Sequence, residues 1–136
     1  MAATLSESAK ALLREPVLAH VATVNSRGEP RVTPVWVDLD GTDILINTAE
    51  GRVKALDLHR NPMVAVSVVD PADPYRVLAL RGTAVSMSHD GADAHIDSLA
   101  KKYLGVDSYP MRSPTEQRVK VRIRPDHISM QPSDPS

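Results

Sequence analysis

The sequence consists largely of short Val-rich segments, several of which are separated by turns too short to hold a helix. Ser26-Arg27-Gly28-Glu29 separates Val17–Asn25 from Pro30–Asp38, and Asp40-Gly41 precedes Ile44–Thr48. β-Branched side chains favour strands. Parallel neighbours need a crossover of a dozen or more residues, so these connections predict antiparallel pairing.

Further periodic segments predict three more strands and three helices. Val-rich alternation marks the strands, and Gly82 within one of them predicts a bulge or bend. Leu56 is expected to be the main core residue of the second helix. The predicted strands are Met63–Asp70, Tyr75–Met87 and Val119–Ile123 or slightly beyond; the predicted helices are Ser6–Arg14 (with Ser6 as N-cap), Glu50–Arg60 and Asp90–Leu104. We therefore expect a mainly β fold, a six-stranded antiparallel barrel with short peripheral helices, because closure removes free sheet edges.

Composition limits the class of protein further. A chain of 136 residues with 42% hydrophobic residues suits a single domain over residues 1–136, with 1–5 and 131–136 expected to fray. The absence of Cys excludes disulfides and thiolate metal sites, and the net charge of −1 disfavours a nucleic-acid binder. No membrane-spanning run or secretory signal is present, so a cytoplasmic protein is expected. The scattered histidines predict no metal site.

The first strand predicts an association between subunits. Its apolar residues fall on both faces, with Val17, Ala19 and Val21 on one and Leu18, Ala22 and Val24 on the other. The interior of a small barrel can cover one face only. A second subunit is the expected cover for the other.

The segment from Thr48 to Lys54 predicts a phosphate site. A strand ends there, Gly51 follows, and a helix begins with Arg52 and Lys54 in its first turn. Cations are disfavoured at a helix N-terminus, which already carries partial positive charge. A bound phosphate would resolve this conflict through free backbone N–H groups, the Thr48 hydroxyl and the two cations. The alternative is an ordinary solvated helix start.

Pro34 lies inside the predicted second strand, where it donates no backbone hydrogen bond. Either this strand is a sheet edge, or its ladder is interrupted and leaves backbone groups free for a planar ligand.

An ordered set of motifs resembles the pyridoxamine-phosphate-oxidase-like split β-barrel superfamily, and within it the coenzyme F420 (deazaflavin)-dependent oxidoreductases of actinobacteria. The motifs run from Thr33-Pro34-Val35-Trp36 through Asp40-Gly41, Thr48-x-x-Gly51-Arg52-x-Lys54, His59-Arg60-Asn61-Pro62, Asp70-Pro71, Pro74-Tyr75-Arg76 and Arg81-Gly82 to Lys102-Tyr103-Leu104-Gly105. The resemblance covers about Leu12 to Met130.

The resemblance implies a split barrel that acts as an oxidoreductase, a homodimer with cofactor sites at the interface and a small-molecule substrate. Arg52 and Lys54 would hold the cofactor phosphate, Thr33, Pro34, Val35 and Trp36 would line the deazaflavin ring, and Tyr75 and Arg76 would approach from the partner chain. Hydride transfer then needs no catalytic side chain, because the cofactor carries the hydride.

Three alternatives stay open at this stage. The same pocket could hold FMN in an FMN-dependent oxidase or reductase, or the chain could bind a cofactor without turnover. The alternating cations Arg118, Lys120, Arg122 and Arg124 form either a solvent-facing strand or a groove for the acidic polyglutamate tail of F420.

Overall fold

The computed structural model describes residues 2–132, which form one antiparallel sheet and three helices. The helices are α1 (Glu7–Arg14), α2 (Val53–Arg60) and α3 (Ala92–Leu104). The strands are β1 (Ala19–Val24), β2 (Pro30–Val35), β3 (Asp38–Asp40), β4 (Asp43–Ala49), β5 (Met63–Asp70), β6 (Asp73–Ser88) and β7 (Arg118–Gln131). Their order in the sheet is β2-β1-β5-β6-β7-β4-β3. The predicted mainly β, antiparallel fold is confirmed.

The sheet has seven strands, so the prediction of six is wrong. The segment predicted as one strand, Pro30–Asp38, divides into β2 and β3, which lie at opposite edges of the sheet. The division has a local cause at Val37. Its backbone N–H donates to the Tyr103 hydroxyl (3.0 Å), and its carbonyl accepts from the Lys102 ammonium (2.7 Å). Side chains of α3 thus take the hydrogen bonds that a neighbouring strand would otherwise take.

One aliphatic core holds the curled sheet together. Buried residues of α1, α2 and the inner strands form a single cluster, and Val35 of β2 and Leu39 of β3 pack against it. Both free edges therefore face the same interior, as expected for a sheet curled into a split barrel. Val119, Val121 and Ile123 of β7 all point into this core, as their alternation predicts.

The N-terminal segment is more ordered than expected. Leu5 is 2% exposed within the core, and the Ala3 N–H donates to the Pro125 carbonyl. Fraying of the whole segment 1–5 is therefore wrong at these residues, because Leu5 has apolar surface to bury. The other segment predicted to fray is 131–136. Gln131 is the last residue of β7, and residues 133–136 lie outside the described residues.

Strand β7 extends well past the predicted Val119–Ile123 despite Pro125. Pro125 lies opposite Gly82, at a shift in the register between β6 and β7, where a missing N–H does not interrupt the ladder. The predicted irregularity at Gly82 is confirmed. A Cβ there would lie 2.5 Å from the Arg124 carbonyl oxygen, so this close approach requires glycine.

Helix α2 begins at Val53, three residues later than predicted, with Arg52 as N-cap. Leu56 is 44% exposed, so its assignment to the core is wrong. The buried face of α2 instead contains Ala55, Asp57 and Leu58. Asp57 is buried because it has polar partners beneath the helix, which the apolar pattern does not reveal.

Candidate functional site

A cleft lies where the start of α2 meets β1, β2 and the end of β4. This cleft, of about 380 Å³, is called the α2 cleft. It brings together six of the predicted site residues: Thr33, Pro34, Val35, Thr48, Arg52 and Lys54. Val21, Thr23, Arg31, Asn47 and Val53 complete its lining. Gly51 does not line the cleft, but its positive φ of 85° turns the chain from β4 into α2.

The N-terminus of α2 opens on this cleft without a side-chain cap. Arg52 is the N-cap residue but makes no capping hydrogen bond, and the first turn has no acidic residue. The first N–H groups of a helix have no partners within the helix, so they are available to a ligand. An anion at this position would also interact favourably with the helix dipole.

Lys54 is the half-buried cation of the α2 cleft. Within residues 2–132 its ammonium has no hydrogen bond and no ion pair. Burial lowers the pKa of Lys54, and the nearby positive charge of Arg52 lowers it further. Both effects disfavour the charged form of Lys54, and a bound anion would offset both.

Arg31 is a third cation of the α2 cleft, and it is not among the site residues predicted from the sequence. Its guanidinium Nε lies 3.3 Å from Asp57 Oδ2, and the Thr23 hydroxyl donates to the same oxygen (2.8 Å). Asp57 is 1% exposed, so it anchors Arg31 from beneath α2. Strand alternation was the available signal, because Arg31 precedes Thr33 by two residues and shares its face.

Arg52 is also held by a carboxylate. Its Nη2 donates to Glu116 Oε2 (2.8 Å), and Glu116 Oε1 accepts from Arg118. The Arg118 hydrogen bond, and next the Arg52 hydrogen bond, lower the pKa of Glu116. This shared carboxylate ties the loop before β7 to the rim of the α2 cleft.

A second cleft, of about 280 Å³, adjoins the first and is called the Trp36 cleft. The two clefts share Pro34, Val35 and Asn47. Of the segment predicted to line a planar ring, Thr33 therefore faces the α2 cleft, Trp36 faces the Trp36 cleft, and Pro34 and Val35 border both. Strand β2 is a sheet edge, as Pro34 allows.

Aromatic contacts fix the Trp36 side chain. Its ring stacks on Tyr103 with centroids 5.1 Å apart, and Tyr109 meets it edge-on at 6.0 Å. The Tyr103 hydroxyl in turn donates to the Val17 carbonyl (2.5 Å). Trp36 is thus a rigid wall of its cleft.

Tyr75 and Arg76 lie apart from both clefts. Tyr75 is 83% exposed, and Arg76 pairs with Glu15 (2.7 Å) and Asp70 (2.9 Å). Within one chain they do not join the site. Their contribution to a neighbouring subunit stays a prediction.

The basic residues of β7 do not form a uniform solvent-facing row. Arg118 is 6% exposed, contrary to its predicted outward position, because the chain packs the start of β7 against α3 and the preceding loop. Arg122 pairs with Asp40 and Asp43, and Arg124 pairs with Asp126. These intramolecular pairs weaken the hypothesis of a groove for an acidic tail.

Within residues 2–132, no group of three or more His, Asp or Glu side chains could hold a metal ion. None of the helices in that range is long and apolar enough to span a membrane.

Comparisons with known proteins give a family match over nearly the whole chain. The model of the pyridoxamine 5'-phosphate oxidase family matches residues 5–131. A solved structure of an F420 reductase is 32% identical, covers 92% of this chain and 98% of its own, and superposes with a TM-score of 0.81. None of the curated proteins matches the sequence.

Two more distant structures share the fold. A conserved hypothetical protein from Mycobacterium tuberculosis is 22% identical over 93% of this chain and 84% of its own, with a TM-score of 0.74. The heme storage protein HutZ from Vibrio cholerae is 16% identical over 94% of this chain and 95% of its own, with a TM-score of 0.66.

Proposed function

The chain belongs to the pyridoxamine 5'-phosphate oxidase family, and from this membership we propose that it is an oxidoreductase that uses the deazaflavin coenzyme F420. The single observation that carries the proposal is the half-buried Lys54 at the start of α2, which has no partner among the described residues 2–132. The choice of F420 over FMN rests on the 32% identity to an F420 reductase.

The residues of the α2 cleft fit the phosphate of such a cofactor. Lys54 and Arg52 supply charge, Thr48 and Thr33 supply hydroxyl groups, and the first turn of α2 supplies backbone N–H groups. Arg31 of β2, held by Asp57, adds a third cation to the lining. Pro34 and Val35 then border the ring on the free edge of β2.

When bound, F420 supplies a hydride donor or acceptor, and the protein's task is to bind the cofactor, orient it and exclude water. The fixed Trp36–Tyr103 stack gives one rigid boundary beside that position. No proton donor is assigned to a side chain.

We also propose that the active form is a homodimer. Several large apolar side chains project from the outer face of the sheet or its edges: Leu18 is 50% exposed, Val32 63%, Met63 61% and Val69 40%. A shallow depression of about 490 Å³, with walls mostly of apolar surface, lies among β1, β5, β6 and β7. A second subunit would cover this face, as the two-sided pattern of β1 predicts.

Titration with purified F420 and FMN in parallel tests the cofactor assignment. We expect F420 to bind more tightly, and we expect its affinity to fall as ionic strength rises, because a partly exposed phosphate contact is screened by salt. Tighter binding of FMN would overturn the assignment of F420 as the cofactor and favour FMN. An affinity that is independent of salt would contradict the phosphate anchor.

Reduced F420 mixed with the protein and a panel of small acceptors tests turnover. Oxidation of the cofactor that requires the protein supports an oxidoreductase. Binding without oxidation of the cofactor by any acceptor would favour the alternative of a cofactor-binding protein without turnover.

A further inference from the structure

The Trp36 cleft is apolar except at one end. Its apolar walls come from the residue before β1, from α3, from the end of β2 and the segment after it, and from the loop before β7; they include Leu18, Trp36, Leu99, Tyr109 and Met111. Among the described residues, Arg118 is the one charged residue that lines this cleft, and the polar Asn47 lines it too. A small, mainly apolar pocket with a few placed polar groups is typical of a ligand site.

Arg118 is held rigidly from three sides. Its Nε donates to Asn47 Oδ1 (2.8 Å), its Nη1 donates to Glu116, and its Cζ lies 5.3 Å from the centre of the Tyr109 ring. Asn47 is itself fixed, because its Nδ2 lies 2.9 Å from the Ala92 carbonyl and 3.1 Å from His95 Nδ1. The guanidinium is therefore oriented before any ligand arrives.

One nitrogen of this guanidinium stays available. Within residues 2–132, Arg118 Nη2 has no hydrogen-bond acceptor, although the side chain is only 5% exposed. In the same range, His95 Nε2 is the one fully buried side-chain nitrogen or oxygen that lacks a hydrogen-bond partner, although it lies 3.6 Å from Asp38 Oδ2; Arg118 Nη2 is therefore not fully buried. Arg118 lines both the Trp36 cleft and a second cleft that contains His89 and Asp93, so a molecule in either cleft can approach this guanidinium.

The charge around Arg118 favours an anionic ligand. Glu116 is shared between Arg52 and Arg118, so two guanidinium groups face one carboxylate. The three groups together carry one net positive charge. A carboxylate would balance that charge and accept a hydrogen bond from Nη2.

We propose that the Trp36 cleft binds the substrate, a small and mainly apolar carboxylic acid, with its carboxylate on Arg118. The volume of about 280 Å³ limits the ligand to roughly one or two rings. The Trp36 cleft shares Pro34, Val35 and Asn47 with the α2 cleft, so a ligand bound in it lies beside the proposed cofactor site. The assignment of this ligand as the substrate therefore rests on the proposed function.

Binding of trans-cinnamate to the cofactor-free protein tests this proposal, with trans-cinnamamide as the uncharged probe of matched shape. Trp36 is the single Trp of the chain, so its fluorescence reports occupancy of the cleft directly, and calorimetry gives the affinity. We expect cinnamate to bind about tenfold or more tightly than cinnamamide, the ratio expected for one charged hydrogen bond. Equal affinity, or no change in Trp36 fluorescence, would overturn the proposal.

Two variants locate the carboxylate. Arg118→Lys keeps the charge but removes Nη2, and it should remove most of the preference for cinnamate over cinnamamide. Because Arg118 is buried and could be needed for folding, Met111→Glu is the second variant. Met111 is 64% exposed on the wall of the cleft, and a carboxylate there should weaken cinnamate and leave cinnamamide nearly unchanged. A preference that survives in both folded variants would contradict the assignment.

Lys54→Ala separates this proposal from the cofactor proposal, because Lys54 lines the α2 cleft but not the Trp36 cleft. It should weaken F420 and leave cinnamate unaffected. A parent protein that binds cinnamate but does not bind F420 would overturn the cofactor assignment alone. Mutual exclusion of F420 and cinnamate in the parent would show that the ring occupies the Trp36 cleft and would overturn the substrate site.

Discussion

Lys54→Met should make the protein without cofactor more stable while it weakens cofactor binding. Lys54 lies in the first turn of α2, half-buried, with no partner in the part of the chain that the structure describes. A cation at this end of a helix costs about 0.3–1 kcal/mol. Met retains the packing of the aliphatic stem and removes the charge, so the free energy of unfolding should rise by a similar amount. For a domain of this size, about 1 kcal/mol raises Tm by roughly 2–6 °C.

The same substitution should reduce the affinity for F420. Losing one charged hydrogen bond to the phosphate costs about 1.5–3 kcal/mol. This corresponds to a roughly ten- to hundredfold increase in Kd. Stability and affinity therefore change in opposite directions, which is the signature of a charge kept for a ligand.

The gain in stability should depend on pH in a defined direction. The pKa of Lys54 lies below its ordinary value of 10.5 in the folded protein, so the unfolded chain binds the proton more strongly. The cost of the charge is therefore complete below the folded pKa and is relieved as pH rises through it. The advantage of Lys54→Met should be full below the folded pKa and should shrink as the pH rises through it toward 10.5.

Chemical denaturation without cofactor and titration with F420 measure both effects on one preparation. Lys101→Met is the matched control, because Lys101 is exposed in the last turn of α3, where a cation is favourable. It should lower stability slightly and leave affinity unchanged. A Lys54→Met variant that loses stability and binds F420 like the parent would show that Lys54 does not hold the cofactor phosphate.

Three further outcomes follow from other parts of the fold. Val32→Glu on the edge strand β2 should convert the proposed dimer to a folded monomer in sedimentation velocity, since Val32 is 63% exposed; a parent protein that sediments as a monomer contradicts the dimer. Asp97→Asn should lower the free energy of unfolding at neutral pH, because hydrogen bonds from the Tyr109 N–H and Arg112 lower the pKa of Asp97. The difference in stability between parent and variant should persist above pH 3.8 and vanish as the pH falls through the lower folded pKa. A difference in stability that does not change with pH would contradict this role of Asp97. Gly82→Ala should cost about 1–3 kcal/mol in thermal or chemical unfolding, because the new Cβ would lie 2.5 Å from the Arg124 carbonyl, and unchanged stability would show that the backbones can separate.

Alternation and turn lengths were sufficient to predict the antiparallel sheet and the inward face of β7. They failed where side chains from distant segments supply backbone hydrogen bonds. Val37 leaves the sheet because Tyr103 and Lys102 take its N–H and carbonyl, and no local pattern near Val37 contains that information. Pro125 likewise looks like a strand end until its position opposite Gly82 is known.

The candidate site was predictable in its charged half. A helix start with cations where anions are preferred is a local signal, and it led to Arg52 and Lys54. Arg31 required knowledge of its buried partner Asp57, and the burial of Arg118 required the fold of the loop before β7. Long-range pairs of this kind carry no fixed sequence spacing, so they become visible only in three dimensions.

Native mass spectrometry of the protein from a host that makes F420 identifies the bound cofactor and the number of chains together. We expect a complex of two chains that carries the mass of F420, and we expect the Lys54→Met protein, prepared in the same way, to carry little or none. A complex that carries FMN, or a parent protein and a variant that retain F420 equally, would contradict the assignment of the α2 cleft.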